Sequence, residues 1–368
     1  MTTSPYPGEA EREREIEELA RQAGAEVQAI GASVEGRALH VVRVPCTGEG
    51  TWQHAMDLQA RSDRLGVDPA SGAAGAGEDL KRPPRESQGA SHFAMHLEAA
   101  VGAEPRRVLV HANIHGPEWI ASRVAMGVLE RLARGNEDAQ QLRARAEIWV
   151  LPCINVDGFA RVERQRGMGT LKELRTNSHG VDLNRNFPVP TAPLPWLARH
   201  VSARFAGSGS SDPRRATYRG TEPLCEPEAR AVAELCRQQS FVASAGLHSF
   251  MGTCIPPCVT TSEEARAYRG LARALRRGQA GARYWTLASR ALDVFTGELE
   301  DYLHHELACW AMTIECFSLG QSIAQHVRAP SLFWRFNPHD SARVVDNDAP
   351  GVIAFLSAAL DVPHPRRR

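Results

Sequence analysis

Short apolar segments that alternate with amphipathic helical segments are the feature that most constrains the fold of this sequence. Residues 108–110 and 148–154 are apolar runs of strand length, and Trp119–Ala133 between them has the spacing of an amphipathic helix. The alternation continues to an apolar helix predicted over residues 351–360. Buried strands that alternate with helices predict an α/β sandwich around one mixed, mostly parallel sheet.

Further segments extend this pattern, and one long segment interrupts it. Apolar runs follow at residues 241–247 and 310–314, and a helix is predicted over 226–238. Residues 47–100 contain stretches rich in Gly, Ala and Pro, so we expect them to form a surface insertion. No internal repeat is visible, and we treat residues 1–368 as a single domain.

The balanced charge and the lack of long apolar runs argue against several classes of protein. The chain has 43 basic and 43 acidic residues, so bulk electrostatics give no reason to expect a nucleic-acid or membrane partner. No window approaches about 18 uninterrupted apolar residues, and the polar N-terminal segment lacks the apolar stretch of a secretion signal. We therefore expect a cytoplasmic protein whose eight cysteines are mostly buried free thiols.

A histidine and a glutamate three residues apart lie where a predicted strand runs through a turn into a helix. His115 and Glu118 follow the apolar strand and precede the helix that begins at Trp119. Side chains at the carboxyl ends of strands converge just outside the sheet, and this pair supplies two ligands of a catalytic His₂Glu zinc site. The alternative is that Glu118 only caps the following helix.

His248 is the candidate for the third metal ligand. It comes directly after the apolar run 241–247, at another predicted strand end. Three protein ligands leave a coordination position for water, whose pKa the metal lowers. The alternative is a histidine that is satisfied within the core.

Glu315 is the candidate for the general base. It follows the apolar run 310–314, and a carboxylate at the end of a buried strand is costly unless it faces a cleft or is paired. Desolvation there would raise its pKa towards a value useful for proton transfer. A carboxylate at the rim, paired with one of the many arginines, is the alternative.

The segment 180–187 offers polar groups for binding a carboxylate. Asn184 supplies amide donors, and the guanidinium of Arg185 matches a carboxylate with two parallel hydrogen bonds. Arg175 could polarise a scissile carbonyl and stabilise the developing oxyanion, and Asp182 could orient a ligand histidine. Taken alone, the segment would also suit a polar loop that caps a helix.

Taken in order, these motifs resemble those of the zinc metallocarboxypeptidases of the carboxypeptidase A/B superfamily. The motifs that carry the resemblance are His115-x-x-Glu118, Asn155-Val-Asp-Gly158, Arg175-x-Asn177, Gly180-Val-Asp-Leu-Asn-Arg-Asn-Phe187, Leu247-His-Ser249 and Thr313-Ile-Glu315. Apart from residues 47–100, the likeness runs from about residue 11 to the C-terminus. It implies a three-layer α/β/α sandwich around a mixed, mostly parallel twisted sheet, with one catalytic domain and one zinc ion.

The resemblance also implies a role for each site residue. The metal ligands and the base are those named above, and Arg175 would assist the oxyanion. Asn184 and Arg185 would hold the terminal carboxylate of a peptide or a small peptide-like substrate.

The sequence departs from the family pattern at two places. The tyrosine on a mobile loop that usually precedes the catalytic glutamate by a little over 20 residues is replaced, in an ungapped count, by Asp293 with Phe295 close by. The nearest tyrosines are Tyr284 and Tyr302, and only a shift of the loop could bring one of them in. Pro117 stands where the family usually has an arginine, which removes one cation from the substrate-binding region.

Glu300 falls at the position where family members select the terminal side chain. An acidic group in that pocket would favour Lys, Arg or another amino-bearing side chain by charge complementarity. A one-residue gap would bring Leu299 or Asp301 there instead, and the alternative is that residues 298–301 form a solvated acidic start of a helix.

Two other groups of histidines are not expected to bind metal. Residues 304–306 contain two histidines and a glutamate, but they lie in a polar, helical stretch, while His111 lies within a strand.

Three functions remain open from the sequence. The leading one is removal of a C-terminal residue from a peptide with a free carboxylate. The alternatives are a zinc amidase acting on cell-wall peptides or small acyl-amino acids, and a binding module without turnover. Retention of Glu315 argues against the binding module, and the pair Asn184 and Arg185 favours the first function. The natural substrate and the oligomeric state do not follow from the sequence.

Overall fold

A computed structural model describes residues 5–48, 105–190, 209–288 and 295–364. The insertion expected at residues 47–100 lies outside these ranges except for its first two residues. Within the described ranges, no helix is both long and apolar enough to cross a membrane. All eight cysteines are free thiols and six of them are buried, as the sequence predicts.

Eight strands of the described residues form one mixed sheet. They are β1 (Glu26–Ala32), β2 (Ala38–Val44), β3 (Arg106–Ala112), β4 (Ala146–Leu151), β5 (Ala243–Ser249), β6 (Thr253–Ile255), β7 (Trp285–Thr286) and β8 (Trp310–Cys316), in the order β1-β2-β4-β3-β5-β8-β6-β7. The four central strands β4, β3, β5 and β8 are parallel, whereas β2 joins β4 and β6 joins β8 in antiparallel fashion. The mixed, mostly parallel sheet predicted from the sequence is confirmed.

Helices cover both faces of this sheet. They are α1 (Glu9–Ala23), α2 (Trp119–Ala133), α3 (Glu137–Arg143), α4 (Val156–Arg164), α5 (Leu171–Arg175), α6 (Pro227–Gln239), α7 (Ser262–Gly278), α8 (Leu299–Leu307), α9 (Leu319–Arg328), α10 (Phe333–Phe336) and α11 (Ser341–Ala359), with a 3₁₀ turn at Leu183–Arg185. Because side chains alternate along a strand, Val108 and Val110 of β3 join the core under α1, α2, α7 and α11. Leu109 joins the core under α6 and α8 on the opposite face. These three layers match the predicted sandwich.

Some element bounds differ from those read in the sequence. The strand predicted at residues 241–247 is shifted towards the C-terminus, since β5 is Ala243–Ser249. The strand predicted at residues 310–314 is two residues longer, since β8 ends at Cys316. Parallel pairing of these strands continues through His248 opposite Glu315, so both side chains lie within the sheet rather than just beyond it. The last helix begins at Ser341, ten residues before the prediction, because Asp340 caps its first turn by accepting from the backbone of Arg343.

Candidate active site

The turn between β3 and α2 is held close to a neighbouring segment. A Cβ atom added at Gly116 would lie 2.4 Å from the carbonyl oxygen of Leu174, so only glycine permits this approach. Glu118 is the N-cap residue of α2, but its side chain makes no capping hydrogen bond. The capping role considered for Glu118 is therefore wrong, and its carboxylate is directed to two histidines instead.

His115, Glu118 and His248 meet in the buried part of the site. The Nδ1 atom of His115 lies 2.8 Å from Oε1 of Glu118, and Nδ1 of His248 lies 3.1 Å from Oε2 of the same carboxylate. One ligand atom from each of the three residues lies within 4.8 Å of the others. Among the described residues this is the group of His, Cys, Asp and Glu side chains that could hold a metal ion.

The charges around this group are strongly coupled. Burial would raise the pKa of Glu118, but the neighbouring histidines outweigh it and hold that pKa well below its usual range. Burial likewise disfavours a charged His248, but the hydrogen bond and charge of Glu118 raise its pKa to about 9. Without a metal, this site therefore attracts a proton to the ring of His248.

The three residues fit a bound cation. Nε2 of His115 lies 3.2 Å from Oδ1 of Asp182, and a carboxylate there can only accept, so Nε2 carries the hydrogen. Nδ1 of His115 is then a lone-pair donor that faces the carboxylate of Glu118, also a lone-pair donor. A cation shared between them satisfies both groups. Two imidazole nitrogens and a carboxylate oxygen are the ligand set of many catalytic zinc sites.

Asp182 also binds Arg175. The Nε atom of Arg175 donates to Oδ2 of Asp182 at 2.8 Å, so one carboxylate orients both the arginine and His115. Burial would raise the pKa of Asp182, but the charge of Arg175 and the contact with His115 hold it well below its usual range. Asp182 is thus ionised at neutral pH, as its use as a hydrogen-bond acceptor requires.

Glu315 stands beside the histidine and glutamate group. It pairs with His248 in the register of β5 and β8, and its side chain is only partly buried. Within the described ranges its Oε2 atom has no hydrogen-bond partner, and no arginine forms a salt bridge with it. Desolvation raises the pKa of Glu315 to about 7, in the direction expected from the sequence.

Asn184 and Arg185 lie in the 3₁₀ turn and contact the start of α8. The side-chain oxygen of Asn184 accepts a hydrogen bond from the backbone of Leu299 at 2.9 Å. Nη1 of Arg185 donates to Oε1 of Glu298 at 3.1 Å, and the guanidinium carbon lies 5.3 Å from the ring centroid of Phe295. The sequence did not reveal Glu298 as a partner of Arg185.

The comparisons with known proteins agree with this geometry. A model of the zinc carboxypeptidase family matches residues 13–323. The chain belongs to the zinc carboxypeptidase family. Zinc is the metal that this family uses, and the structure holds a group of side chains suited to it.

Curated relatives match part of the chain. The metallocarboxypeptidase A-like protein of Trichophyton verrucosum is 30% identical over 153 residues, which are 41% of this chain and 32% of that protein. The carboxypeptidase N catalytic chain of Rattus norvegicus is 30% identical over 142 residues, 37% of this chain and 29% of the relative. The matches therefore span about a third of the length of these relatives.

Solved structures share the fold. Bovine thrombin-activatable fibrinolysis inhibitor, in complex with tick carboxypeptidase inhibitor, aligns with a TM-score of 0.63 at 18% identity and covers 97% of this chain and 98% of its own. Carboxypeptidase A from Helicoverpa armigera aligns with a TM-score of 0.65 at 16% identity and covers 98% and 75%. At such low identities the likeness to these structures shows a shared fold and nothing further.

The acidic start of α8 is buried, so the solvated helix start considered from the sequence is wrong. Glu298, Glu300 and Asp301 are 8%, 1% and 1% exposed. Oε1 of Glu300 lies 3.7 Å from Nε2 of His111 and 3.9 Å from Nε2 of His248. Burial lowers the pKa of His111 to about 4, so this ring is neutral at physiological pH.

Neither candidate for the family's substrate-capping tyrosine reaches the site. The hydroxyl of Tyr284 donates to Oδ2 of Asp348 at 2.6 Å, and that of Tyr302 accepts from Arg237 at 3.0 Å. Asp293, at the position given by the ungapped count, lies outside the described residues. The hydroxyls of Tyr284 and Tyr302 are thus engaged away from the site.

His304 is not part of the group formed by His115, Glu118 and His248. Its Nδ1 atom lies 3.0 Å from the hydroxyl of Tyr268 and 3.2 Å from Nε2 of His364. These contacts link α7, α8 and the segment after α11.

Proposed function

We propose that this chain forms one catalytic domain that releases the C-terminal residue of a peptide or peptide-like substrate with a free carboxylate. The observation that supports this function best is the convergence of His115, Glu118 and His248 on one point beside Glu315. We assign the first three as metal ligands and Glu315 as the general base.

Zinc at this position supplies Lewis acidity, which polarises a carbonyl group and makes a water molecule more acidic. Glu118 contributes the negative ligand, and Asp182 keeps the ring of His115 in the tautomer that leaves Nδ1 available. The carboxylate of Glu315 takes the proton from the attacking water and then transfers it to the leaving amine. Its pKa of about 7 in the metal-free protein suits a group that both accepts and returns a proton.

Arg175 stabilises the oxygen that gains negative charge. Its guanidinium is fixed through Nε by Asp182, which leaves the terminal nitrogens to face a substrate carbonyl oxygen. A fixed donor needs little reorganisation as charge develops, which is why such groups lower the barrier for acyl transfer.

The terminal carboxylate of the substrate binds Asn184 and Arg185. Both side chains are buried in the 3₁₀ turn, and a guanidinium binds a carboxylate with two parallel hydrogen bonds. The contact of Arg185 with Glu298 offsets part of its charge, so substrate binding there depends on the local balance of charge.

Selection of the terminal side chain is assigned to the acidic start of α8, the region that contains Glu300. Three buried carboxyl groups at the start of α8, of which Glu298 pairs with Arg185, give this region more acidic than basic side chains. Such a region favours a substrate side chain that ends in an amine or guanidinium. The family match gives no support to the amidase alternative, because the matching family is that of the zinc carboxypeptidases.

A panel of peptides tests this function directly. Zinc content and amino-acid release are measured for the wild-type protein and for Glu315→Gln, with each peptide supplied with a free and with an amidated C-terminus. We expect stoichiometric zinc in both proteins, turnover in the wild type alone, and a strong preference for the free carboxylate. Absence of zinc, full activity of the variant, or equal cleavage of amidated peptides would contradict the proposal.

A further inference from the structure

The side chain of Glu300 lies against the sheet between two histidines. Its carboxylate comes from the first turn of α8 and reaches His111 of β3 and His248 of β5. All three residues are 1% to 2% exposed. The carboxylate therefore lies among buried rings and is far less accessible than a group at the rim of a pocket.

A glycine in β5 makes room for this carboxylate. A Cβ atom added at Gly246 would lie 2.0 Å from Oε1 of Glu300 and 2.7 Å from a ring carbon of His111. Because Gly246 pairs with His111 in the sheet and precedes His248 by two residues, all three positions lie on the same face. Because Gly246 has no side chain, the carboxylate of Glu300 has the space to approach Nε2 of His248 on this face of the sheet.

Most of the polar side-chain atoms of Glu300, His111 and His248 make no hydrogen bond within the described residues. Both carboxylate oxygens of Glu300, both ring nitrogens of His111, and Nε2 of His248 have no hydrogen-bond partner there. An unpaired buried polar atom costs on the order of 1–3 kcal/mol, so five together require a reason. The distances of 3.7 and 3.9 Å place Glu300 within a small side-chain movement of a hydrogen bond to either ring.

A matching arrangement exists at the other ligand histidine. Nε2 of His115 faces Asp182 while its Nδ1 faces Glu118, and Nε2 of His248 faces Glu300 while its Nδ1 faces Glu118. A carboxylate behind a ligand imidazole fixes its tautomer and orientation and makes the ring a stronger ligand.

We propose that Glu300 is a positioning residue of the metal centre, which accepts the Nε2 hydrogen of His248 and directs Nδ1 of that ring towards the metal. This role rests on the assignment of His248 as a ligand. It differs from selection of a basic side chain, because the carboxylate then serves the ring of His248 and is not a contact of the substrate. His111, neutral and buried, supplies the second donor for Glu300.

Zinc affinity tests the proposal without any substrate. Competition with a chromophoric chelator gives the zinc dissociation constant of the wild type, Glu300→Gln, Glu300→Asp and the control Glu306→Gln, whose carboxylate is exposed on the same helix. We expect about 10- to 100-fold weaker binding for Glu300→Gln and unchanged binding for Glu306→Gln. Glu300→Asp keeps the charge but shortens the side chain, so a smaller loss in the same direction is expected.

Two readouts separate positioning from a purely structural effect. The melting temperature of the metal-free proteins reports folding, and the visible absorption spectrum of the Co²⁺-substituted proteins reports ligand geometry. A changed Co²⁺ spectrum in a Glu300→Gln protein that melts like the wild type supports the proposal. Wild-type zinc affinity and spectrum in Glu300→Gln overturn it, most clearly if only the preference for basic C-terminal residues changes. Failure of the wild type itself to bind zinc would instead overturn the proposed function and this role with it.

Discussion

Arg185 donates a hydrogen bond to Glu298 across 3.1 Å, and both side chains are largely buried. The arginine assigned to the substrate's carboxylate thus already faces a carboxylate of its own chain. The guanidinium is held in place by this contact and covered on one side by the ring of Phe295. If Arg185 binds the substrate carboxylate as proposed, that carboxylate lies beside Glu298, and we predict that Glu298 lowers the affinity.

Replacement of Glu298 by glutamine should strengthen substrate binding. The variant keeps a side-chain oxygen that can accept from Arg185 but removes the negative charge beside it. We expect KM for peptides with a free C-terminus to fall by up to about tenfold, equivalent to roughly 1.4 kcal/mol, at similar kcat. Steady-state kinetics with free and amidated peptides provide the measurement, and an unchanged or higher KM for the free peptides would refute the idea.

Replacement of Glu315 by glutamine should abolish turnover while leaving the metal bound. Glutamine has nearly the same shape but cannot accept the proton from water, so kcat should fall by at least about 10²- to 10⁴-fold. Zinc content measured by mass spectrometry should equal that of the wild type. Glu306→Gln serves as the matched control, and loss of zinc in Glu315→Gln would show that this side chain serves the metal rather than the proton transfer.

The sequence predicted the grouping of His115, Glu118 and His248 better than it predicted the surroundings of that group. His115 and Glu118 are close in the chain, and His248 lies at a strand end, so local pattern and the parallel sheet bring them together. The contact of Arg185 with Glu298 joins residues 113 positions apart, and it depends on how α8 packs over the sheet. No local signal showed that the acidic start of α8 is buried, since the space for Glu300 is created by Gly246 on a distant strand.

Replacement of His248 by alanine should prevent zinc binding. The variant removes one of three protein ligands and leaves Glu118 with a single histidine partner, so we expect less than about a tenth of the wild-type zinc occupancy after dialysis against a weak chelator. The control is His179→Ala, because the side chain of His179 is largely exposed and contacts Glu226 rather than a proposed ligand. Wild-type zinc occupancy in His248→Ala would exclude this residue as a ligand.

Replacement of Asp301 by asparagine should alter how stability depends on pH. Burial is the main cause that raises the pKa of Asp301 to about 7, from an ordinary value of 3.8. Between these values the folded protein binds a proton that the unfolded chain has released, so the free energy of unfolding falls as pH rises through this range. Asparagine stays neutral and can still accept the hydrogen bond from the backbone of Cys258.

The stability advantage of Asp301→Asn over the wild type should therefore grow between about pH 4 and pH 7, and reach on the order of a few kcal/mol. Chemical unfolding at a series of pH values in zinc-containing buffer measures it, with the exposed Asp346→Asn as the control. An advantage that is constant with pH, or that shrinks as pH rises, would mean that Asp301 is not a buried acid that ionises near neutrality.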